Sequence, residues 1–411
     1  MGVMVDLRPL RASRAFRALW VGRSFSAFGS QLTLVAVMYQ VWRDTGSTVW
    51  TGAVGLAQGL PMVFLGPFAG ALVDRVDRRR FYLWTLVGQA ACAVLLVVQA
   101  VLGAPIGVVL VIVAVQACFI AGGGPAARTF LPRLLPPEQL AAGLALQRIT
   151  GQVAMLAGPA VGGVLIGFTG VVGCYALDAA SFSAAFLGAF GLPAMLPGGE
   201  PARAGLGGVL DGLRFLVGHA TVRGALVTDL AATVLSMPVS LFPLVNAERF
   251  GDDPRTLGLF LSAVAVGGVV ASALSGTFTS LPRQGVVMLV GSLSWGVALL
   301  LFGLVANPWA GLALLVVAGA ADTASVVSRN AIVQLNTPDE LMGRVGAAEL
   351  AVGFAGPEVG NMRAGLVASA TSGTTALVSG GALCVAAVLA VAACTPGLRK
   401  HVHEPVHPAA R

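Results

Sequence analysis

Long apolar runs alternate along this chain with short polar connections. The runs occupy residues 16–42, 49–72, 81–103, 105–128, 143–166, 171–193, 223–247, 256–279, 285–305, 309–331, 344–368 and 374–395. Each is close to the length of about 20 apolar residues that a helix needs to cross the hydrocarbon core of a bilayer. Together they leave almost no chain for a water-exposed domain. Backbone groups in lipid must be satisfied within their own segment, so the pattern predicts an all-α membrane protein of twelve transmembrane helices. The first run is too long for a cleavable signal peptide and ends without a small-residue cleavage pattern.

Charge sorts the connections by side. Arg8, Arg11, Arg14 and Arg17 precede the first run; Arg75, Arg78, Arg79 and Arg80 follow the second. Arg128 and Arg133 follow the fourth, and Arg399 and Lys400 follow the last, while the alternate connections hold little more than Arg43, Arg249 and Arg255. Basic residues gather on the cytoplasmic side of membrane proteins. Both termini are therefore expected in the cytoplasm of a bacterial cell, with the chain in the inner membrane and in contact with lipid. The net charge of +7 follows from these flanking arginines, so no nucleic-acid partner is expected. Only 10% of the residues are charged, against about 25% in soluble domains. The five cysteines lie far apart inside apolar runs and read as small core residues.

The chain also repeats itself. The segment from Arg128 through Pro137-Glu138-Gln139-Leu140 aligns with that from Arg329 through Pro338-Asp339-Glu340-Leu341, an offset of 201 residues (128 to 329). Each segment leaves an even-numbered run and turns into the next helix, with proline near its first position. Duplicated six-helix halves in parallel are one of the transporter architectures, with the substrate site between the halves near the midplane. The expected halves are 1–193 and 223–395. A connector, 194–222, opens on Pro197-Gly198-Gly199-Glu200-Pro201. Leu206, Val209, Leu210, Leu213 and Leu216 then fall at helical spacing, which reads as a short amphipathic helix on the cytoplasmic surface or as an ordinary linker. Residues 396–411 form a cytoplasmic tail. Its His401, His403 and His407 fit a solvated tail better than a metal site, because nothing pre-organises them.

Two motifs have a physical rationale. Between the second and third runs stand Gly70, Asp74, Arg75, Asp77, Arg78, Arg79 and Arg80. Gly70 permits close helix contact, Asp74 can meet a helix N-terminus or an arginine, and the arginines hold the loop at the leaflet or bridge to the other half. The fifth run carries Gly158, Pro159, Gly162 and Gly163. There proline kinks the helix and small residues offer a flat face, either for packing alone or to bias the direction of transport.

These two motifs, on twelve spans in two halves, resemble the major facilitator superfamily. Asp77 stands where many members have glycine, and Ala154 where a further glycine is common in the helix-5 antiporter motif. Four runs resemble its enterobactin-exporter-like and macrolide-efflux-like branch: Thr45-Gly46-Ser47, residues 71–80, Gly158 to Gly163, and Gln334 to Arg344. The resemblance implies a proton-driven exporter whose first, fourth, seventh and tenth helices line a central cavity.

Charged groups inside a bilayer cost at least about 2.5–3.5 kcal/mol each and mark functional positions. Here they are Arg23, Arg148, Asp178, Asp229, Asp322, Glu349, Glu358 and Arg363. Asp322 is the deepest acid on a cavity helix, seven residues from Arg329 on the same face; it reads as a proton carrier or as a structural partner of an arginine. Arg23 and Asp229 superpose at an offset of 206 residues (23 to 229) and suggest a latch between the halves, with Asp229 a further proton-coupling candidate whose protonation would loosen it, or two snorkelling groups. Glu349 and Glu358, nine residues apart, fall on opposite helix faces; Glu358 is the deeper and the second proton candidate. Related proteins often carry aspartate near Ser30 and a second acid where Asn361 stands. Asp178, on a peripheral span, reads as hydrogen-bonded structure. Arg128 and Arg329 are expected at the cavity or its gate.

No P-loop, HExxH or Ser-His-Asp arrangement is present, so neither an enzyme nor a cofactor is expected. The favoured reading is a monomeric antiporter exporting an amphipathic organic solute such as a siderophore. A multidrug efflux pump of the macrolide or tetracycline type is the alternative, and a non-transporting sensor or scaffold a further one.

Overall fold

A computed structural model of the chain describes residues 6–73, 75–195 and 206–400. Among these residues every regular element is helical. Twelve long segments appear in the order the apolar runs set: α1 Arg14–Thr45, α2 Thr48–Val73, α3 Arg78–Leu102 and α4 Ile106–Arg128. The helix Pro137–Phe190 is broken at Gly170 (φ 66°, ψ −174°) into α5, 137–169, and α6, 171–190. Such a backbone conformation is open to glycine alone. Next come α7 Ala220–Phe250, α8 Pro254–Ala273, α9 Gln284–Leu304, α10 Pro308–Asn336, α11 Met342–Ala370 and α12 Gly373–Cys394.

Nine helices among the described residues are long and apolar enough to cross a membrane, the 54-residue Pro137–Phe190 helix counting once. The two long segments outside that set are α1 and α11. They carry Arg14, Arg17, Arg23 and Arg43, and Arg344, Glu349, Glu358 and Arg363, respectively.

The chain divides into two compact units, Met1–Gly207 with Pro243–Ser262, and Gly208–Phe242 with Ala263–Arg411. In the first, α1 lies along α5 and α6, α2 pairs with α4, and α3 packs on both α4 and the α5–α6 pair. Its core includes Leu19, Tyr82, Phe130 and Phe182, with the Tyr82 and Phe130 rings edge-on at 5.2 Å. A buried polar lock spans α1, α3 and α6: Gln40 and Gln99 exchange amide hydrogen bonds of 3.1 and 3.0 Å, and the Tyr175 hydroxyl donates to Gln40 Oε1 at 2.8 Å. In the second unit α9 packs on α10 and α12, and α7 on α10, α11 and α12.

Two expected spans are interrupted. α7 breaks after Ser236, turns through a short 3₁₀ segment, Val239–Leu241, and resumes at Phe242. Pro238 and Pro243 cannot donate to a helical ladder, which accounts for the break. The span drawn to residue 279 ends at Ala273, and Ser275–Thr279 forms a separate turn of helix.

The connector contains the helix Leu206–Gly218; its Pro197–Pro201 loop lies outside the described residues. Val209, Leu213 and Leu216 pack against Val333, Val345 and Ala348 of α10 and α11, and Asp211 pairs with Arg344 at 3.2 Å. The apolar face expected on a lipid surface is thus largely covered by protein, while Leu210 remains exposed.

Candidate functional site

In the second unit, three helices bring charge together. Asp229 of α7 pairs directly with Arg329 of α10, and Glu349 of α11 stands 3.9 Å from the same guanidinium. Only 12% of the Arg329 side chain and 8% of that of Asp229 are exposed, so bulk water screens the pair little. Asp322, two turns along α10, lies within electrostatic reach of Asp229 and Arg329 but has no hydrogen bond or ion pair among the described residues. Three acids therefore surround one base. A cleft of about 380 Å³ opens beside them, lined by Arg329, Asn330, Gln334, Glu349 and Phe354.

The partner of Asp229 in the structure is Arg329. Asp229 is answered inside its own unit, because α10 continues for two turns beyond Arg329 and carries that arginine alongside α7.

Glu358 belongs to a separate network, as its opposite-face position predicts. Asn361 Nδ2 donates to Glu358 Oε2 at 3.1 Å. Asn361 Oδ1 accepts from the Ser240 amide at 3.2 Å, and its backbone carbonyl accepts from the Ser240 hydroxyl at 2.7 Å. Asn361 thus ties Glu358 to the broken stretch of α7 and supplies an acceptor that the interrupted helix lacks. Ser240 was not legible as a site residue, although Pro238 and Pro243 on either side flag an irregular backbone.

In the first unit, a cavity of about 270 Å³ is lined by Trp20, Arg23, Tyr82, Gln89, Gln147 and Phe182, among others. Arg23 has no ion pair among the described residues. Arg128, the duplicate of Arg329, ends α4 and is exposed, as is Arg148. Asp178 is fully buried and accepts from Thr33 Oγ1 at 2.7 Å and from Ser181 Oγ at 3.4 Å, the structural role its position suggested.

The motif between α2 and α3 ties the first unit to itself. Asp77 caps α3, accepting from the amides of Arg79 at 2.9 Å and Arg80 at 3.4 Å, and also from the Met195 amide beyond α6 at 3.3 Å. Arg79 donates to the Phe190 carbonyl and stacks 5.5 Å above that ring. Arg75 is exposed. Asp74 lies outside the described residues, and for Gly70 only its place in α2 is described. Burial pushes the Asp77 carboxyl up, but the amides of Met195, Arg80 and Arg79 outweigh it, with the Arg80 charge adding, so its pKa lies below the ordinary carboxylate value. Its contribution to stability is therefore present above that ordinary value and is lost as pH falls through the lowered one. Asp77→Ala should cost about 1 kcal/mol, the usual loss of an N-cap, read as a lower unfolding temperature at neutral pH and no difference in strong acid.

The α5 motif makes close helix contacts. A side chain at Gly158 would meet Gln31 of α1, and one at Gly162 would meet Leu32 and Val35. Gly163 faces the backbone of Pro254 and Arg255 at the start of α8, while Gly258 of α8 faces the carbonyl of Pro159. The Ala160 amide, next to Pro159, donates to Ser262 Oγ of α8 at 3.1 Å.

With this geometry in view, the sequence matches the profile of the transmembrane secretion effector family over residues 5–407. It is similar to the enterobactin exporter EntS of Shigella boydii and of Escherichia coli, 28% identical over 392 residues that cover 94% of this chain and 93% of each relative. Among solved structures it superposes on the nucleoside transporter NupG with a TM-score of 0.75 at 13% identity, over 94% of this chain and 99% of that one. A bacterial homologue of the lysosomal transporter Spinster gives 0.70 at 16% identity, over 95% and 98% of the two chains. A bacterial homologue of ferroportin gives 0.67 at 16%, over 94% and 99%. At such identities the structural likeness is one of fold.

Proposed function

Because this chain belongs to the transmembrane secretion effector family of the major facilitator superfamily, and is a multi-pass inner-membrane transporter rather than an enzyme, we propose that it exports an amphipathic organic solute in exchange for protons. The solute is a siderophore or a similar secondary metabolite, in keeping with the EntS relatives. Both termini and the arginine-rich connections face the cytoplasm in this reading, and the protein works by alternating access. The protein works as a monomer.

The observation that carries the coupling is the excess of acid over base at Asp229, Asp322, Glu349 and Arg329. Charge within a membrane segment is costly unless paired, and an acid beyond those the arginine can answer is a place to carry a proton. Asp322 is the first candidate and Glu358, held by Asn361, the second. Asp229 serves as the partner that holds Arg329.

Two measurements test this. Metabolite profiling of a deletion strain should reveal a compound retained in the cytoplasm. In proteoliposomes loaded with that compound, an imposed proton gradient should drive efflux through the native protein. It should fail to do so through an Asp322→Asn, Glu358→Gln double variant, whereas downhill exchange of the solute should persist. Gradient-driven efflux undiminished in the double variant would remove these acids from the mechanism.

A further inference from the structure

The cavity in the first unit is lined by donors with nothing to donate to. Arg23 has no acid partner among the described residues, and it lines the cavity together with Tyr82. Trp20 Nε1 and Gln147 Nε2 are buried and have no acceptor among the described residues. Among the residues lining this cavity there is no aspartate or glutamate. The hydroxyl hydrogens of Ser24 and Thr150 are already given to the helix carbonyls of Trp20 and Leu146, at 2.7 and 3.0 Å. A buried donor left unpaired is destabilising and uncommon. Two of them around one space, beside a half-buried arginine that no acid answers, describe a site awaiting acceptor oxygens.

The duplication explains how this arose. In the second unit Arg329 is answered by Asp229. At the matching places of the first unit stand Arg128 and Arg23, so a second base holds the place of the acid. One half keeps an internally neutralised arginine, and the other keeps an arginine free for something that enters from outside.

We propose that the cavity of the first unit is a binding site for the anionic end of the transported solute. A carboxylate or phenolate group is held by the Arg23 guanidinium with the Trp20 indole N–H and the Gln147 amide, and an aromatic or apolar body lies against Tyr82 and Phe182. The cavity volume of about 270 Å³ fits a headgroup rather than a whole drug-sized molecule. This rests on the transport reading above and narrows its substrate to organic anions.

The test uses full-length protein in nanodiscs, without a gradient, and three probes of one shape: 1-naphthoate, 1-naphthamide and 1-naphthylmethylammonium. Naphthoate should bind about tenfold more tightly than naphthamide, the gain expected of charge-assisted hydrogen bonds, and the ammonium probe most weakly. Arg23→Gln should erase the preference for the anion, and Arg23→Lys should retain part of it. Equal binding of the anion and the neutral amide by the native protein would overturn the proposal with no variant needed. A preference that survives Arg23→Gln in folded, monodisperse protein would overturn it too. Because no gradient is applied, failure here leaves proton-driven efflux untouched. Failure of efflux with the anion preference intact would count instead against the coupling mechanism.

Discussion

Arg329→Gln should unfold or severely weaken this protein, the largest effect expected of any single charge substitution in it. The guanidinium answers Asp229 directly and Glu349 at 3.9 Å. Its removal strands acids on three helices where water reaches them poorly. Breaking a buried ion pair by deleting one partner costs about 3–5 kcal/mol, a large share of the stability of a typical domain. Thermal unfolding of detergent-purified protein should show the loss, together with a lower yield of monodisperse material. Two further variants separate charge from shape. Arg329→Lys keeps the cation but not the planar fork, and should fall between. Adding Asp229→Asn to Arg329→Gln should recover part of the loss, since a neutral pair replaces an uncompensated acid. The recovery measures the coupling of the two residues. An unfolding temperature indifferent to Arg329→Gln would mean that the pair does not hold α7 to α10.

The contrast between Arg329 and Arg128 indicates what the sequence carries plainly and what it does not. Twelve spans and their order are legible because lipid forbids unsatisfied backbone, and each crossing must be written as a long apolar run. The duplicated Arg-to-Leu segments are legible for the same reason: they recur at the same point of the pattern. Pairing is another matter. Asp229 and Arg329 lie 100 positions apart, and nothing in either segment says that they meet. Matching depths point to Arg23 as a partner of Asp229, while the packing of α7 on α10 brings Arg329 to it. The donors at Trp20 and Gln147 are harder still to read. A tryptophan near a span end reads as an interfacial anchor, and a glutamine in a helix as an ordinary polar residue. Their meaning lies in the lack of any acceptor nearby, which is a property of three-dimensional surroundings. The break in α7 stands between these cases. Pro238 and Pro243 announce it, while its ties to Asn361 and Glu358 do not show in the sequence.

A second large effect is expected at Gly258, for reasons of volume rather than charge. A Cβ at Gly258 would run into the Pro159 carbonyl, and one at Gly163 into the carbonyl of Pro254. The two glycines make a reciprocal contact in which each helix backbone touches the other, as small residues allow in membranes. Beside it, the Ala160 amide is received by Ser262 Oγ at 3.1 Å. A side chain at Gly258 would strike main-chain atoms, which cannot swing aside as a side-chain tip can. Overpacking of this sort costs about 1–3 kcal/mol, and here the full cost falls on one crossing. If α5 and α8 must separate and close again in each transport cycle, Gly258→Val should bar the closed form while leaving the rest of each unit folded. The expected result is protein of near-native yield whose efflux is lost, with cysteines placed at the start of α8 labelled at all times instead of intermittently. Ser262→Ala, which removes the hydrogen bond but adds no bulk, should slow efflux without stopping it. Full efflux by Gly258→Val would establish that this crossing is static packing, and the Pro159 segment would then have no part in the direction of transport.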